Sequence, residues 1–466
     1  MTELNYISFQ PMQGAPNALK GCSVYFLGIG GIGMSALARY FKEMGCKVSG
    51  YDKTETPLTQ KLIQEGIAVH YTDSIESIDM QATLVVYTPA IPVYHEGFVF
   101  YKNNGYKLHK RSEVLGWVTA SMYNICVAGT HGKTTTSAMI AHILRDSGYG
   151  CNAFLGGVTA NYQTNYWSHK NAVAVAEADE YDRSFLRLQP DIAVLTSMDP
   201  DHLDIYGNEK NMQDAFIAFT GKIRKNGVLI YCKGIPRESE LQAPVNLSYS
   251  IGNASTDYYA EDIRIQDGSY VFNVRGKQTH ISNLTLHMGG AHNIENVTAA
   301  VAVAVQVGIP EDKIRKAVAG FKGVKRRFEY IIRNNARIFI DDYAHHPQEL
   351  TALIRGAREL YPDKKITVVF QPHLYSRTKD LAAGFSKALD LADEVFLLPI
   401  YPARELPMEG VSSQMILDGM NVKGIMLEKE KLTDTIRQLQ PEVLITAGAG
   451  DIDALVEPLK NVLTGT

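Results

Sequence analysis

The chain has 466 residues, 45% hydrophobic and 21% charged, which suits a globular protein of about three domains. Its 46 Lys plus Arg stand against 50 Asp plus Glu, a formal charge of −4, so it lacks the basic excess of a nucleic-acid-binding chain and must meet any anionic ligand locally. The start has no basic stretch leading into an apolar run and no segment is apolar for the roughly 18 residues of a membrane span, which predicts a cytoplasmic protein with no membrane insertion. Five cysteines set singly, without a CxxC pair, argue against a disulfide framework and a zinc site.

A first unit opens on the apolar run Ser23 to Leu27. It passes through a glycine turn into a helix near Met34 to Glu43, then to strands at Lys47 to Tyr51 and Ala82 to Tyr87. Strands alternating with helices predict a parallel sheet. Gly28, Gly30, Gly31 and Gly33 follow a strand and open a helix, so the backbone can approach a pyrophosphate and offer it helix N-terminal amides. Asp52, nineteen positions after Gly33, suits a carboxylate on a ribose hydroxyl. That pairing alone would equally mark a nicotinamide-dependent dehydrogenase.

A second unit begins with the strand Ile125 to Ala128 and another glycine turn and helix. Strand-like runs follow at Ala172 to Ala176, Ile192 to Leu195 and Gly227 to Tyr231. The alternation over Tyr258 to Leu286 predicts antiparallel strands, and the alanine-rich helix His292 to Val307 suits close packing. Gly129, Thr130, His131, Gly132, Lys133, Thr134 and Thr135 form a phosphate-binding loop, shorter than the common form with four residues between its glycines. Lys133 is placed to neutralise the terminal phosphates of ATP and Thr134 to give an oxygen to magnesium, with manganese able to substitute.

Glu177 closes the next apolar strand, where a carboxylate can reach the phosphate loop, and is the acid assigned to the metal. Asp179, Glu180 and Asp182 read equally well as solvated loop acids. His202, in the segment Asp199 to Asp204 after a further strand, is placed to hold a metal, orient a phosphate or act as a base.

The third unit has strand signals at Ala336 to Ile340, Ile366 to Phe370, Glu394 to Leu398 and Val443 to Thr446, with helical stretches such as Gln348 to Leu360 between them. The boundaries fall near 122 and 326, dividing the chain into 1–122, 123–325 and 326–466. Asp341 to Pro347 and Gln371 to Thr378 follow the first two of these strands, where α/β sheets bind ligands.

Taken in order, these segments resemble the Mur ligase family almost end to end, including the short phosphate loop and Glu177-Ala178-Asp179-Glu180. The resemblance implies an α/β protein of three domains: an N-terminal Rossmann-like parallel sheet, a central P-loop ATPase-like domain and a C-terminal Rossmann-like domain. It implies an ATP-dependent ligase of peptidoglycan precursor synthesis, with UDP-N-acetylmuramate as the sugar substrate and the Gly28 to Gly33 turn on its diphosphate. His292, Asn293 and Asn296, otherwise readable as helix caps, would face the adenine nucleotide. Arg327, rather than Arg326, would meet the transferring phosphate. The two C-terminal segments resemble those of members that add L-alanine, with Tyr343, His345 and Arg377 around the amino acid and Arg377 on its carboxylate.

In the implied chemistry the lactyl carboxylate attacks the γ-phosphate of ATP, and the alanine amine then attacks the acyl phosphate. Lys133, Glu177, His202 and Arg327 would carry most of it, and His202 and His345 are both eligible proton acceptors. Two positions depart from the family: Leu374 stands where some relatives carry arginine, and Ile217 falls about where others carry a lysine that becomes carbamylated. Three ligands on three domains predict closure by rotation near 122 and 326, in a monomer or weak homodimer. A dehydrogenase would leave the second phosphate loop unexplained, a nucleotide sensor would form no ADP with alanine, and other Mur-type ligases or folate polyglutamate synthetases would share the fold with a different acceptor.

Overall fold

A computed structural model describes residues 21–403 and 405–465, so the expectation that no leader opens the chain lies outside the described residues. The described residues form three sheets. The first has strands β1 Ser23–Leu27, β2 Lys47–Tyr51, β3 Ala68–His70, β4 Leu84–Tyr87 and β5 Leu108–Lys110, in the order β3-β2-β1-β4-β5, every pair parallel. All five residues of β1 are buried, as expected of a central parallel strand covered on both faces.

The second sheet takes β6 Tyr123–Ala128, β7 Asn152–Phe154, β8 Tyr166–Trp167, β9 Val173–Glu177, β10 Ile192–Leu195, β11 Val228–Cys232 and β12 Val245–Ile251. It continues through β13 Tyr258–Gln266, β14 Ser269–Gly276 and β15 Thr279–Leu286, in the order β15-β14-β13-β12-β11-β10-β6-β9-β7-β8. β13, β14 and β15 run antiparallel, as the alternation predicts. The helix Ala291–Gln306 packs its alanine and valine stripe against β11 to β14 and against the helix Lys133–Asp146.

The third sheet contains β16 Glu329–Arg333, β17 Ile338–Asp342, β18 Ile366–Phe370, β19 Glu394–Leu397, β20 Gly424–Met426 and β21 Val443–Ala447, in the order β16-β17-β21-β18-β19-β20. The sequence reading has no counterpart to β16. It pairs antiparallel with β17 across a tight turn in which the Asn334 side chain accepts hydrogen bonds from the Ala336 and Arg337 amides. No helix among the described residues is long and apolar enough to cross a membrane.

Two seams hold the sheets together. Arg39, buried on the first helix, donates to Asn165 of the central domain at 2.5 Å and pairs with Glu65 at 2.6 Å, while Asn165 donates back to the Ile32 carbonyl at 2.6 Å. The third sheet meets the antiparallel strands through Arg333 on Ser269 and Tyr270 on Glu359, both at 2.5 Å. Between them the chain turns at Arg326 (φ 58°) and Phe328 (φ 48°), two side-chain-bearing residues in the left-handed region.

Candidate active site

The first glycine turn is fixed by its neighbours before any ligand arrives. Gly28 and Ile29 both donate to the Tyr51 carbonyl, and the Gly30 amide donates to Asp52 Oδ2 at 2.7 Å. A Cβ at Gly30 would stand 2.8 Å from that oxygen and 2.6 Å from Thr59 Cγ2, so only glycine fits. Asp52, which follows β2 rather than ending it, thus spends one oxygen on ordering the turn. A Cβ at Gly33 would lie 2.8 Å from Arg111 Nη1, which places a guanidinium over the start of the helix.

Arg111 and its neighbour Lys110 carry no motif, and sequence reasoning missed them. They stand at the carboxyl end of β5 and line a cavity of about 650 Å³ with Gly31, Gly33, Glu177 and Asp179. Their partners come from the central domain: Lys110 pairs with Asp182 at 2.5 Å and Arg111 with Asp179 at 3.2 Å. A basic pair at the end of a parallel strand was the available signal.

The second turn carries its own cation. Gly129 (φ 136°) and Gly132 (φ 79°) let the backbone curl between β6 and the helix Lys133–Asp146. Thr130 and the His131 amide both bond the Ser197 hydroxyl at 2.9 Å, bracing the loop from the end of β10. Lys133 Nζ folds back onto the Gly129 carbonyl at 2.6 Å and pairs with Glu180 Oε1 at 2.8 Å. Thr134 and Thr135 are buried in the first turn of that helix.

Glu180 is 1% exposed, and its Oε2 has no hydrogen-bond partner among the described residues. Burial pushes its carboxyl up, against the pull of Lys133. Carboxylate oxygens of Glu180 and Asp201 and a ring nitrogen of His202 lie within 4.8 Å of one another, a donor set that fits a hard divalent cation. The sequence reading put Glu177 with Thr134 and His202. The structure brings His202 together with Glu180 and Asp201, and sets Glu177 in the cavity wall, its Oε2 buried beside Gly156 without a hydrogen-bond partner among the described residues. His202 itself has φ 49°, a left-handed conformation at the head of a short helix.

The adenine-side residues divide. Asn293 and Asn296 are buried; Asn293 donates to the Gly289 carbonyl at 2.7 Å, and Asn296 donates to Asn293 at 3.1 Å. Asn296 Oδ1 accepts from Thr136 at 3.0 Å and would meet a Cβ at Gly132 at 2.6 Å. Asn296 therefore shapes the phosphate loop from behind and Asn293 holds it there, while His292 is exposed at the helix start. Ile217 is buried in the helix Glu209–Thr220 and offers no ligand.

At the turn into the third domain the two arginines also divide. Arg326 pairs with buried Asp341 at 3.2 Å and lies 5.1 Å from the Tyr343 ring centroid. Arg327 is exposed and makes no ion pair with a described residue, so its guanidinium is available. Tyr343 and His345 are in edge contact at 5.2 Å, His345 and His373 at 6.3 Å, and Arg377 donates to His373 Nδ1 at 3.2 Å. Tyr343, His345 and Arg377 are thus gathered on one face, joined by His346 and His373, which sequence reasoning left out. Burial, then the charge of Arg377, lowers the pKa of both added imidazoles, while Glu349 and, more weakly, Asp201 pull His346 the other way.

Three family models match the chain: the Mur ligase family catalytic domain over residues 23–123, the Mur ligase middle domain over 127–304, and the Mur ligase glutamate ligase domain over 326–452. A UDP-N-acetylmuramate--L-alanine ligase from Cytophaga hutchinsonii is 47% identical over 94% of this chain and 96% of its own length. One from Phocaeicola vulgatus is 48% identical over 96% and 99%. Among solved structures, UDP-N-acetylmuramate-alanine ligase from Thermotoga maritima superposes with a TM-score of 0.81 at 27% identity, covering 95% of this chain and 99% of that one.

Proposed function

The chain belongs to the Mur ligase family, and from that premise we propose that it couples ATP cleavage to amide formation between UDP-N-acetylmuramate and L-alanine, in peptidoglycan precursor synthesis. One observation in the geometry supports this most. A single acidic segment lies between two anion cradles, with Asp179 and Asp182 on Arg111 and Lys110 of one and Glu180 on Lys133 of the other.

The diphosphate of the UDP-sugar lies on the Gly28 to Gly33 turn, where Arg111 and Lys110 exchange their carboxylate partners for phosphate oxygens. ATP lies on Gly129 to Thr135, where Lys133 meets its terminal phosphates, and Arg327 approaches from the third domain. Magnesium is the divalent cation proposed for Glu180, Asp201 and His202, with Thr134 and Glu177 as further oxygen donors. It supplies neutralisation of phosphate charge.

The lactyl carboxylate attacks the γ-phosphorus and ADP leaves, because a free carboxylate is too poor an electrophile for an amine. The alanine amine then forms the C–N bond at the acyl carbon as phosphate departs. Arg377 holds the alanine carboxylate. His346 and His373, whose pKa burial and Arg377 lower, join His345 and His202 as candidates to take the ammonium proton. Rotation at Arg326 to Phe328 brings the amino-acid loops onto the phosphates and excludes water. We place the domain limits at 122 and 326 and the enzyme in the cytoplasm, as a monomer or weak homodimer.

ADP release measured with all three substrates, and with each omitted in turn, tests the reading. Release that needs both UDP-N-acetylmuramate and L-alanine is expected; release indifferent to either would refute it.

A further inference from the structure

The helix Tyr375–Leu389 carries Arg377 in its first turn, yet its N-cap residue is Leu374, whose side chain has no oxygen to accept a first-turn N–H. Leu374 also has φ 71° and ψ 137°, a left-handed φ that side-chain-bearing residues rarely adopt. Contacts from outside the helix hold this turn. The Leu374 amide donates to the Tyr401 carbonyl and the Tyr401 amide to the Pro372 carbonyl, each at 2.9 Å. The His373 ring stacks on Tyr401 at 5.8 Å.

The last contact from that segment is Glu405. One of its carboxylate oxygens accepts the Ser376 amide at 2.9 Å and the other accepts the Ser376 hydroxyl. These hydrogen bonds hold the Glu405 carboxyl below its usual range, so it is an anion at the positive end of the helix. It supplies, from 29 positions away, the cap that Leu374 cannot. Leu406 beside it is 84% exposed, so burial of the loop does not account for where Glu405 lies.

The other amino-acid loop is capped locally. Glu349, in the helix that follows it, accepts the amides of His345 at 2.9 Å and His346 at 3.1 Å. The helix that carries Arg377, by contrast, takes its cap from a distant segment.

We infer that Glu405 is a positioning residue for the amino-acid substrate: by capping the helix Tyr375–Leu389 from the neighbouring loop it fixes the turn that aims the Arg377 guanidinium at the substrate carboxylate. The inference rests on the alanine-adding reading of this site. Its effect belongs in the affinity for L-alanine, because Glu405 touches neither phosphate cradle.

Steady-state kinetics on the full chain, varying each substrate with the other two saturating, test this with Glu405→Gln, Glu405→Ala and Ser376→Ala. Losing a charge-assisted hydrogen bond predicts a KM for L-alanine raised roughly 10-fold in Glu405→Gln and further in Glu405→Ala. kcat and the KM values for ATP and UDP-N-acetylmuramate stay within about twofold. Ser376→Ala, which keeps the backbone donor, raises the same KM by less. A common rise in all three KM values, a fall in kcat at constant alanine KM, or no change would overturn the inference. L-alanine dependence of ADP release by the unsubstituted protein separately tests the reading beneath it.

Discussion

The two glycine turns are built alike, strand to turn to helix, but acquire their positive charge differently. The loop at Gly129 to Lys133 contains its cation, and Lys133 is already folded onto the Gly129 carbonyl and Glu180. The turn at Gly28 to Gly33 contains none; Arg111 and Lys110 reach it from the end of β5, and Asp179 and Asp182 of the next domain neutralise them. On the proposed reading, the cation inside the loop serves phosphate transfer. A cation brought by the fold leaves the turn a binding site whose charge depends on the neighbouring domain.

The comparison breaks first at Lys133. Lys133→Ala removes the cation proposed to meet the reacting phosphates and is expected to lower kcat for ADP release roughly 10³-fold. A loss of less than tenfold would mean that the two loops are equivalent cradles.

Glu180→Gln comes next, since Glu180 is both the lysine's partner and a candidate metal ligand. Activity should fall roughly 10- to 100-fold and half-activation by divalent metal should move to higher concentration. Glu177→Gln provides the contrast, and a larger metal shift there than in Glu180→Gln would restore the strand-end acid as the principal ligand.

The smallest effect concerns the turn between domains. Burial pushes the Asp341 carboxyl up to about 7 against an ordinary value of 3.8, with Arg326 pulling the other way. The folded protein holds a proton there that the unfolded chain has released, so this group stabilises the fold at low pH and that stability is lost as pH rises from 3.8 to about 7. Asp341→Asn should flatten that limb of the Tm-against-pH profile, and an unchanged slope would remove Asp341 as its source.

Much of the scaffold was legible because the central parallel strands are uninterrupted apolar runs: β1, β10 and β18 fall where the pattern put them. β16 was not, since its apolar run Tyr330 to Ile332 is only three residues long and, at the edge of the sheet, buries Ile332 alone. The phosphate loop was legible because strand, glycines and lysine are contiguous. The acids behind it were harder: after Glu177 the chain enters a tight turn with Asp182 and Arg183 left-handed (φ 53° and 56°), and the segment brings Glu180, three residues beyond the strand end, onto Lys133. Asn293 and Asn296 were found as a motif, but their inward bonds depend on a helix packed against the loop. Lys110, Arg111 and Glu405 act on elements distant in sequence; the first two leave only the weak signal of a basic pair at a strand end, and Glu405 leaves none.

The most direct test of this account is calorimetric binding of UDP-N-acetylmuramate and of ATP to Arg111→Ala and Lys133→Ala. The account predicts a crossed pattern, in which Arg111→Ala weakens UDP-N-acetylmuramate roughly 10-fold or more and leaves ATP unchanged, while Lys133→Ala weakens ATP alone. Equal weakening of both ligands by either variant would contradict the assignment of two turns to two phosphates.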